Sequence, residues 1–288
     1  MAGKKRASVQ CSSRSDLLNS LRRTFTVPTS RLSALTLLPF ETYSQYLLAP
    51  EWCKGLVTKR HLATVSLTQG AQASVYLMEK SSTEFYVMKA TAVDEAERVR
   101  LAVKEFEVLK SLESPHIVKP LAFWIDQELN RAALILPYWG EQTLETVCEL
   151  PIDEVRRIAV QLFGALAYLH ARNWVHRDIK PANLLYFEGS LTIIDFQTAT
   201  SLQDSQWFLT YAGTREFTAP EMRSQSTYSA KVDVWSAGAV LLRVLGWQVG
   251  DLPSGDCGEW FAGVMEEQAE RRFSAEEALQ HTWLRSVL

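Results

Sequence analysis

Ten consecutive residues, His176-Arg177-Asp178-Ile179-Lys180-Pro181-Ala182-Asn183-Leu184-Leu185, place an acid, an amine and an amide within a short stretch of chain. A second acid follows where the apolar run Leu191-Thr192-Ile193-Ile194 ends in Asp195-Phe196. Hard oxygen ligands of this kind suit Mg²⁺, which keeps an octahedral shell and takes phosphates as partners. Asp195 and Asn183 offer those oxygens. Asp178 could take a proton from a hydroxyl group, and Lys180 could neutralise charge on a phosphoryl group in transit.

Such groups need rigid elements on either side. Upstream, Val155 to His170 reads as a helix, with Val155, Ile158, Leu162, Leu166 and Leu169 as its apolar stripe. Downstream, the run ending at Asp195 reads as a strand. Earlier in the chain, Val75-Tyr76-Leu77 and Phe85-Tyr86-Val87-Met88 are β-rich runs separated by the polar turn Lys80-Ser81-Ser82. Asp94 to Leu112 reads as a helix with Leu101, Glu105, Leu109 and Leu112 on one face. Ile117 to Trp124 and Ala132 to Leu136 are expected strands. Strands first and helices later predict an α+β protein in two lobes.

The series H-R-D-x-K-x-x-N in His176 to Asn183 resembles the catalytic loop of the eukaryotic protein kinase family, and Asp195-Phe196 resembles the family's metal-binding D-F-G. Further motifs follow in the family's order. Lys89 ends Val87-Met88-Lys89, like the strand lysine that holds the α and β phosphates of ATP. Glu105 stands on the following helix, ahead of Pro115-His116-Ile117-Val118 at the family's separation, and is expected to pair with Lys89. Leu134 to Gly140 looks like the strand and hinge that receive adenine. There Leu136 is the gatekeeper, the Pro137 carbonyl an acceptor, and the Trp139 backbone a donor and acceptor. Gly213 to Glu221 resembles the G-T-x-x-Y-x-A-P-E segment that seats a peptide substrate, with Phe217 in place of Tyr. Asp233 to Gly238 resembles the buried helix that anchors the catalytic loop. Arg272 to Leu284 matches the closing helix, with Arg272 expected to pair with Glu221. The resemblance covers about Leu62 to Leu288.

The resemblance implies a bilobal fold, a small β-rich N-lobe and a larger, mainly helical C-lobe. It implies residues 57–288 as kinase domain (N-lobe 57–136, hinge 137–140, C-lobe 141–288), preceded by a tail and docking segment over 1–56. It implies ATP and Mg²⁺ as cofactors, a protein substrate, and transfer to serine or threonine, since Lys180 and Thr214 are similar to that branch. Asp178, Lys180, Lys89 and Glu105 carry catalysis; Asn183 and Asp195 hold metal. Thr68, Gly70, Ala73, Val75, Val87, Lys89, Leu136, Pro137, Trp139 and Leu185 surround the nucleotide. Arg177 beside Asp178 is similar to kinases activated by loop phosphorylation. Thr210 is the candidate acceptor for an activating kinase, with an unmodified loop threonine as the other reading.

Three departures bear on activity. The glycine-rich loop G-x-G-x-x-G-x-V is here Thr68-Gln69-Gly70-Ala71-Gln72-Ala73-Ser74-Val75, with only the central glycine kept, so fewer backbone N–H groups can approach phosphates freely. Gln197 replaces the D-F-G glycine, and Val87 replaces a small residue over adenine. The stretch from Asp233 to Arg272 is also short for the family and rich in helix breakers, so trimmed C-lobe helices are expected. The alternative reading is a pseudokinase acting as a scaffold or allosteric partner. A small-molecule or lipid kinase conflicts with the Gly213 to Glu221 segment.

The bulk composition agrees with a folded protein of one large or two modest domains: 288 residues, 47% hydrophobic. A formal charge of −3 points to neither nucleic acid nor a membrane surface as partner. Cys11, Cys53, Cys148 and Cys257 are far apart, as expected for reduced thiols. No apolar run approaches the roughly 18 residues of a spanning helix; Ala237 to Leu245 is short and contains Arg243. Met1 to Ser33 is basic and Ser-rich, with Asp16 as its acid. It fits a disordered tail, a transit peptide or an import signal at Lys4-Lys5-Arg6. The expected location is intracellular and cytoplasmic, with nuclear or organellar targeting as alternatives. Residues 34–56 are apolar and aromatic and are expected to pack on the domain, with a short helix over Glu41 to Leu48.

Overall fold

The computed structural model describes residues 44–46, 49–66, 72–94, 96–126, 130–203, 216–223, 228–248 and 252–285. Thr68, Gly70, Thr210, Thr214 and the tail before residue 44 lie outside the described residues. The chain divides into two compact units. One is the chain up to Glu107 with Lys119–Tyr138; the other is Val108–Val118 with the chain from Trp139 onward.

The first unit is built on an antiparallel sheet of β1 (Val57–Ser66), β2 (Gln72–Glu79), β3 (Phe85–Ala92), β4 (Ala122–Asp126) and β5 (Arg131–Pro137). The spatial order is β1-β2-β3-β5-β4. Side chains alternate across a strand, so the register assigns each residue to a face. Tyr76, Met88, Ile135 and Ala122 are successive cross-strand partners. With Met78, Ala90, Ala133 and Trp124 they make an apolar face, covered by Cys53 and Leu56 and by the partly buried Ala49 and Trp52. Of the apolar stretch expected to pack on the domain, Ala49, Trp52, Cys53 and Leu56 lie at this face. Burial within it pushes the Cys53 thiol up to about 12, against a small opposing pull from Lys80. The described part of the helix expected over Glu41–Leu48 is a 3-10 turn, Ser44–Tyr46.

The other face carries Val75, Lys89, Leu134 and Phe123 in one cross-strand row. On it stands Glu105 of helix α1 (Ala96–Ser111), whose expected face of Leu101, Glu105 and Leu109 is buried, as is Leu112 just past its end. The strand expected from Ile117 starts instead at Ala122. Pro120 has no N–H for a ladder, and Ile117 and Val118 pair with Ile193 in the second unit.

The second unit is mainly helical. Helix α2 (Ile152–His170) buries its whole predicted stripe. Strands β6 (Trp174–Val175) and β9 (Thr200–Ser201) pair, as do β7 (Leu184–Phe187) and β8 (Ser190–Ile193). After the one-turn α3 (Pro220–Arg223) comes α4 (Lys231–Leu245), buried almost all round as expected of a helix in the middle of a core. It stops at Gly246, whose φ of 72° is the left-handed conformation that glycine tolerates best. Then follow α5 (Asp256–Val264), α6 (Ala275–Gln280) and α7 (Thr282–Arg285). The S-x-x-E signature Ser274 to Glu277 forms a capping box on α6. No helix among the described residues is long and apolar enough to cross a membrane. The architecture is the α+β class that the order of elements implies.

Candidate active site

The loop His176–Asn183 is fixed from beneath by α4. Asp233, fully buried, accepts the N–H of His176 through Oδ2 at 2.8 Å and that of Arg177 through Oδ1 at 2.8 Å. His170 Nε2 lies 2.9 Å from the same carboxylate. Burial raises the Asp233 carboxyl; the His170 hydrogen bond and charge and the His176 contacts together outweigh it and hold the group below the usual carboxylate range. These bonds let Arg177 adopt a φ of 70°, a left-handed conformation that costs a residue with a side chain about 1 kcal/mol or more. Sequence reasoning picked out Asp233 but passed over His170, which gives no signal beyond its place at the end of α2.

The His176 ring fastens the loop to the strand that follows. Its Nδ1 accepts the N–H of Asp178 at 3.3 Å, and its Nε2 lies 3.2 Å from the Ile194 carbonyl. A proton on Nε2, with Nδ1 as acceptor, satisfies both contacts. The ring also meets Phe196 edge-on, with centroids 4.7 Å apart. Thr198 Oγ1 donates to the His176 carbonyl at 2.8 Å.

Asp178, Lys180 and Asn183 converge. Lys180 Nζ lies 2.7 Å from Asp178 Oδ2, and Asn183 Nδ2 donates to the same oxygen at 3.1 Å and to the Asp178 carbonyl at 2.8 Å. Asn183 closes the 3-10 turn Pro181–Asn183, and its carbonyl accepts the N–H of Ile194 at 3.0 Å. That bond extends the β7–β8 ladder, which begins at Leu184 opposite Ile193. Asp195, at a φ of 63°, therefore starts beside Asn183. With its Nδ2 turned to Asp178, Asn183 leaves Oδ1 as the atom that could meet a metal ion. An amide oxygen and a carboxylate fit Mg²⁺, which completes its shell with water and phosphate. Among the described residues no group of three His, Cys, Asp or Glu gathers as a metal cage. Leu185 is half-buried on β7 opposite Thr192.

In the first unit Lys89 Nζ meets Glu105 at 2.7 Å to Oε1 and 3.0 Å to Oε2, with both residues buried. Val75 is opposite Lys89, Ala73 opposite Thr91, Val87 opposite Leu136, and Pro137 opposite Tyr86. Val75, Ala73, Val87, Leu136 and Lys89 thus share one face of the sheet. Trp139 belongs to the second unit and is exposed.

Gln197 is buried and is not among the residues of positive φ. A side chain at this position therefore needs no strained backbone. Phe217 and Ala219 are buried, and Arg272 makes the expected pair with Glu221 at 2.6 and 3.0 Å. Val175, Ala219, Met222, Tyr228 and Val232 form one apolar cluster beneath this segment. Arg177 is buried; burial lowers its guanidinium, and the neighbouring Tyr228 and Asp233 oppose that shift. Tyr228 carried no sequence signal of its own.

A protein kinase domain model matches residues 63–253. The chain is similar to protein kinase gsk31 of Schizosaccharomyces pombe, 34% identical over 48% of this chain and 40% of the relative. Glycogen synthase kinase 1 of Pyricularia oryzae is 34% identical over 51% of this chain and 41% of the relative. Serine/threonine-protein kinase pakH of Dictyostelium discoideum is 31% identical over 62% and 36% respectively. The chain spans well under half the length of these curated relatives. The model match over most of the chain, with these relatives beside it, places the protein in the eukaryotic protein kinase family.

Proposed function

We propose that the chain transfers the γ-phosphoryl group of ATP to serine or threonine hydroxyls of protein substrates. The observation that carries this reading is the Asp178 carboxylate, with Lys180 and Asn183 on one oxygen, in a loop pinned by Asp233. Asp178 orients the acceptor hydroxyl and receives its proton as the oxygen–phosphorus bond forms and the bond to the departing ADP breaks. Lys180, beside Asp178, balances charge on the transferred group. Lys89, aligned by Glu105, binds the α and β phosphates. Asn183 and Asp195 supply the oxygens for Mg²⁺, which when bound neutralises phosphate charge. Positioning and electrostatics carry such a reaction, with little covalent chemistry for the protein itself.

The pseudokinase alternative rests on the altered residues Thr68, Ala73 and Gln197. Gln197 is not at a positive φ, so its side chain adds no backbone strain there. Mg-ATP should raise the thermal unfolding midpoint of the purified protein. Mass spectrometry after incubation should find new phosphoserine or phosphothreonine, absent when Lys89 is replaced by Met. No midpoint shift and no modification would leave the scaffold reading in its place.

A further inference from the structure

Tyr46 lies outside every motif of the kinase family, yet it is buried against the helix that carries Glu105. Its hydroxyl donates to Glu107 Oε1 at 2.6 Å, across 61 residues of chain. Its ring meets Phe106 edge-on at 6.0 Å and Phe123 edge-on at 5.4 Å. Phe106 and Phe123 stack on each other at 5.0 Å, nearly parallel. We infer that Tyr46 is a positioning residue for the Lys89–Glu105 ion pair, holding α1 in the rotation that turns Glu105 toward Lys89.

The helix geometry gives the reason. Successive residues turn by about 100°, so Glu105 and Glu107 project roughly 160° apart. Lys89 and Tyr46 therefore grip opposite sides of the same turn. Between them, Phe106 rests on Phe123. Phe123 faces Leu134 and Leu134 faces Lys89, so Phe123 and Lys89 stand in one row of the sheet, two strand spacings or about 9.6 Å apart. Three consecutive residues of α1 are thus fastened, two of them to that row. Tyr46 touches the third and also both rings of the second contact. A rotation of α1 that withdrew Glu105 would have to break the phenol–carboxylate bond and unstack the rings. The bond is charge-assisted, which makes it stronger than a neutral one.

This rests on the proposed kinase function only for its catalytic consequence; the hold on the ion pair is measurable without it. In the full chain, Tyr46→Phe, Tyr46→Ala and Glu107→Gln are compared for three quantities. These are amide hydrogen exchange across Ala96–Glu107, acylation of the Lys89 amine read by peptide mass spectrometry, and phosphoryl transfer. Tyr46→Phe and Glu107→Gln should each raise exchange and Lys89 labelling severalfold, and Tyr46→Ala should raise both about tenfold or more. Transfer should slow in the same order. In a Glu105→Gln background, where Lys89 is already released, Tyr46→Ala should add nothing to the labelling. Unchanged exchange and labelling in Tyr46→Ala would overturn the inference. So would an equal rise in labelling with and without Glu105, which would mark general loosening. A wild-type chain that transfers no phosphate while labelling follows the predicted order would refute the kinase function and support the role of Tyr46.

Discussion

Asp233 Oδ1 accepts the backbone N–H of Arg177 at 2.8 Å, joining a helix to a loop 56 residues away. The bond stabilises a left-handed residue immediately before the acid that the chemistry needs. Asp233→Asn keeps the shape but turns an NH₂ group toward backbone donors that need an acceptor. Leaving buried donors unmatched costs about 1–3 kcal/mol each, so the substitution should destabilise the protein by about 2–4 kcal/mol. Transfer should fall with it even at temperatures where the variant is folded. Urea unfolding and kinetics on the same sample check both.

The same carboxylate gives a pH dependence. Its folded-state pKa is depressed below the ordinary carboxylate value, so its stabilisation is complete well above the unfolded value and is lost as the pH falls through the lower, folded one. The stability gap between wild type and Asp233→Asn should therefore be widest above pH ~5 and should narrow below pH ~4. A gap that widened on acidification would contradict this assignment.

The Lys89–Glu105 pair separates stability from function. Removing one partner leaves a buried charge unmatched, at a cost of about 3–5 kcal/mol, whereas replacing both by apolar groups of similar size is often neutral or stabilising. Lys89→Met should lower the unfolding midpoint and abolish transfer. The double variant Lys89→Met with Glu105→Leu should recover the midpoint and stay inactive.

Arg272 has no exposed surface and holds Glu221 through two nitrogens. Its Nε donates to the Glu266 carbonyl at 2.8 Å, and its NH1 to the Lys231 carbonyl at 3.0 Å. A lysine cannot reproduce this fork. Arg272→Lys should cost about 2 kcal/mol, and Arg272→Ala about 3–5 kcal/mol. Chemical unfolding of the two variants gives the order.

The parts legible in the sequence are those where periodicity or a dense motif dictates the outcome. The α2 stripe, the α1 face with Glu105, and the Arg272–Glu221 pair fall in this group. So does the convergence of Asp178, Lys180 and Asn183, because six residues of chain cannot carry them far apart. Less legible were contacts between distant segments that lack a pattern. Nothing about Tyr46 in sequence announces Glu107, and nothing about His170 announces Asp233. The strand expected from Ile117 begins only at Ala122, because Pro120 has no N–H to give to a ladder. Gln197 departs from the D-F-G pattern in sequence; in the structure it stands at a φ that any residue adopts.

The central claim is that Asp178 serves phosphoryl transfer to protein hydroxyls. Its most direct test is ³²P transfer from γ-labelled ATP to a generic protein substrate, with Asp178→Asn purified in parallel. The account predicts Mg²⁺-dependent labelling of serine or threonine by the wild type and a drop of about 10²–10⁴-fold in the variant, the usual contribution of a positioned base. Absence of labelling by a wild-type protein that binds Mg-ATP, or equal labelling by both proteins, would contradict it.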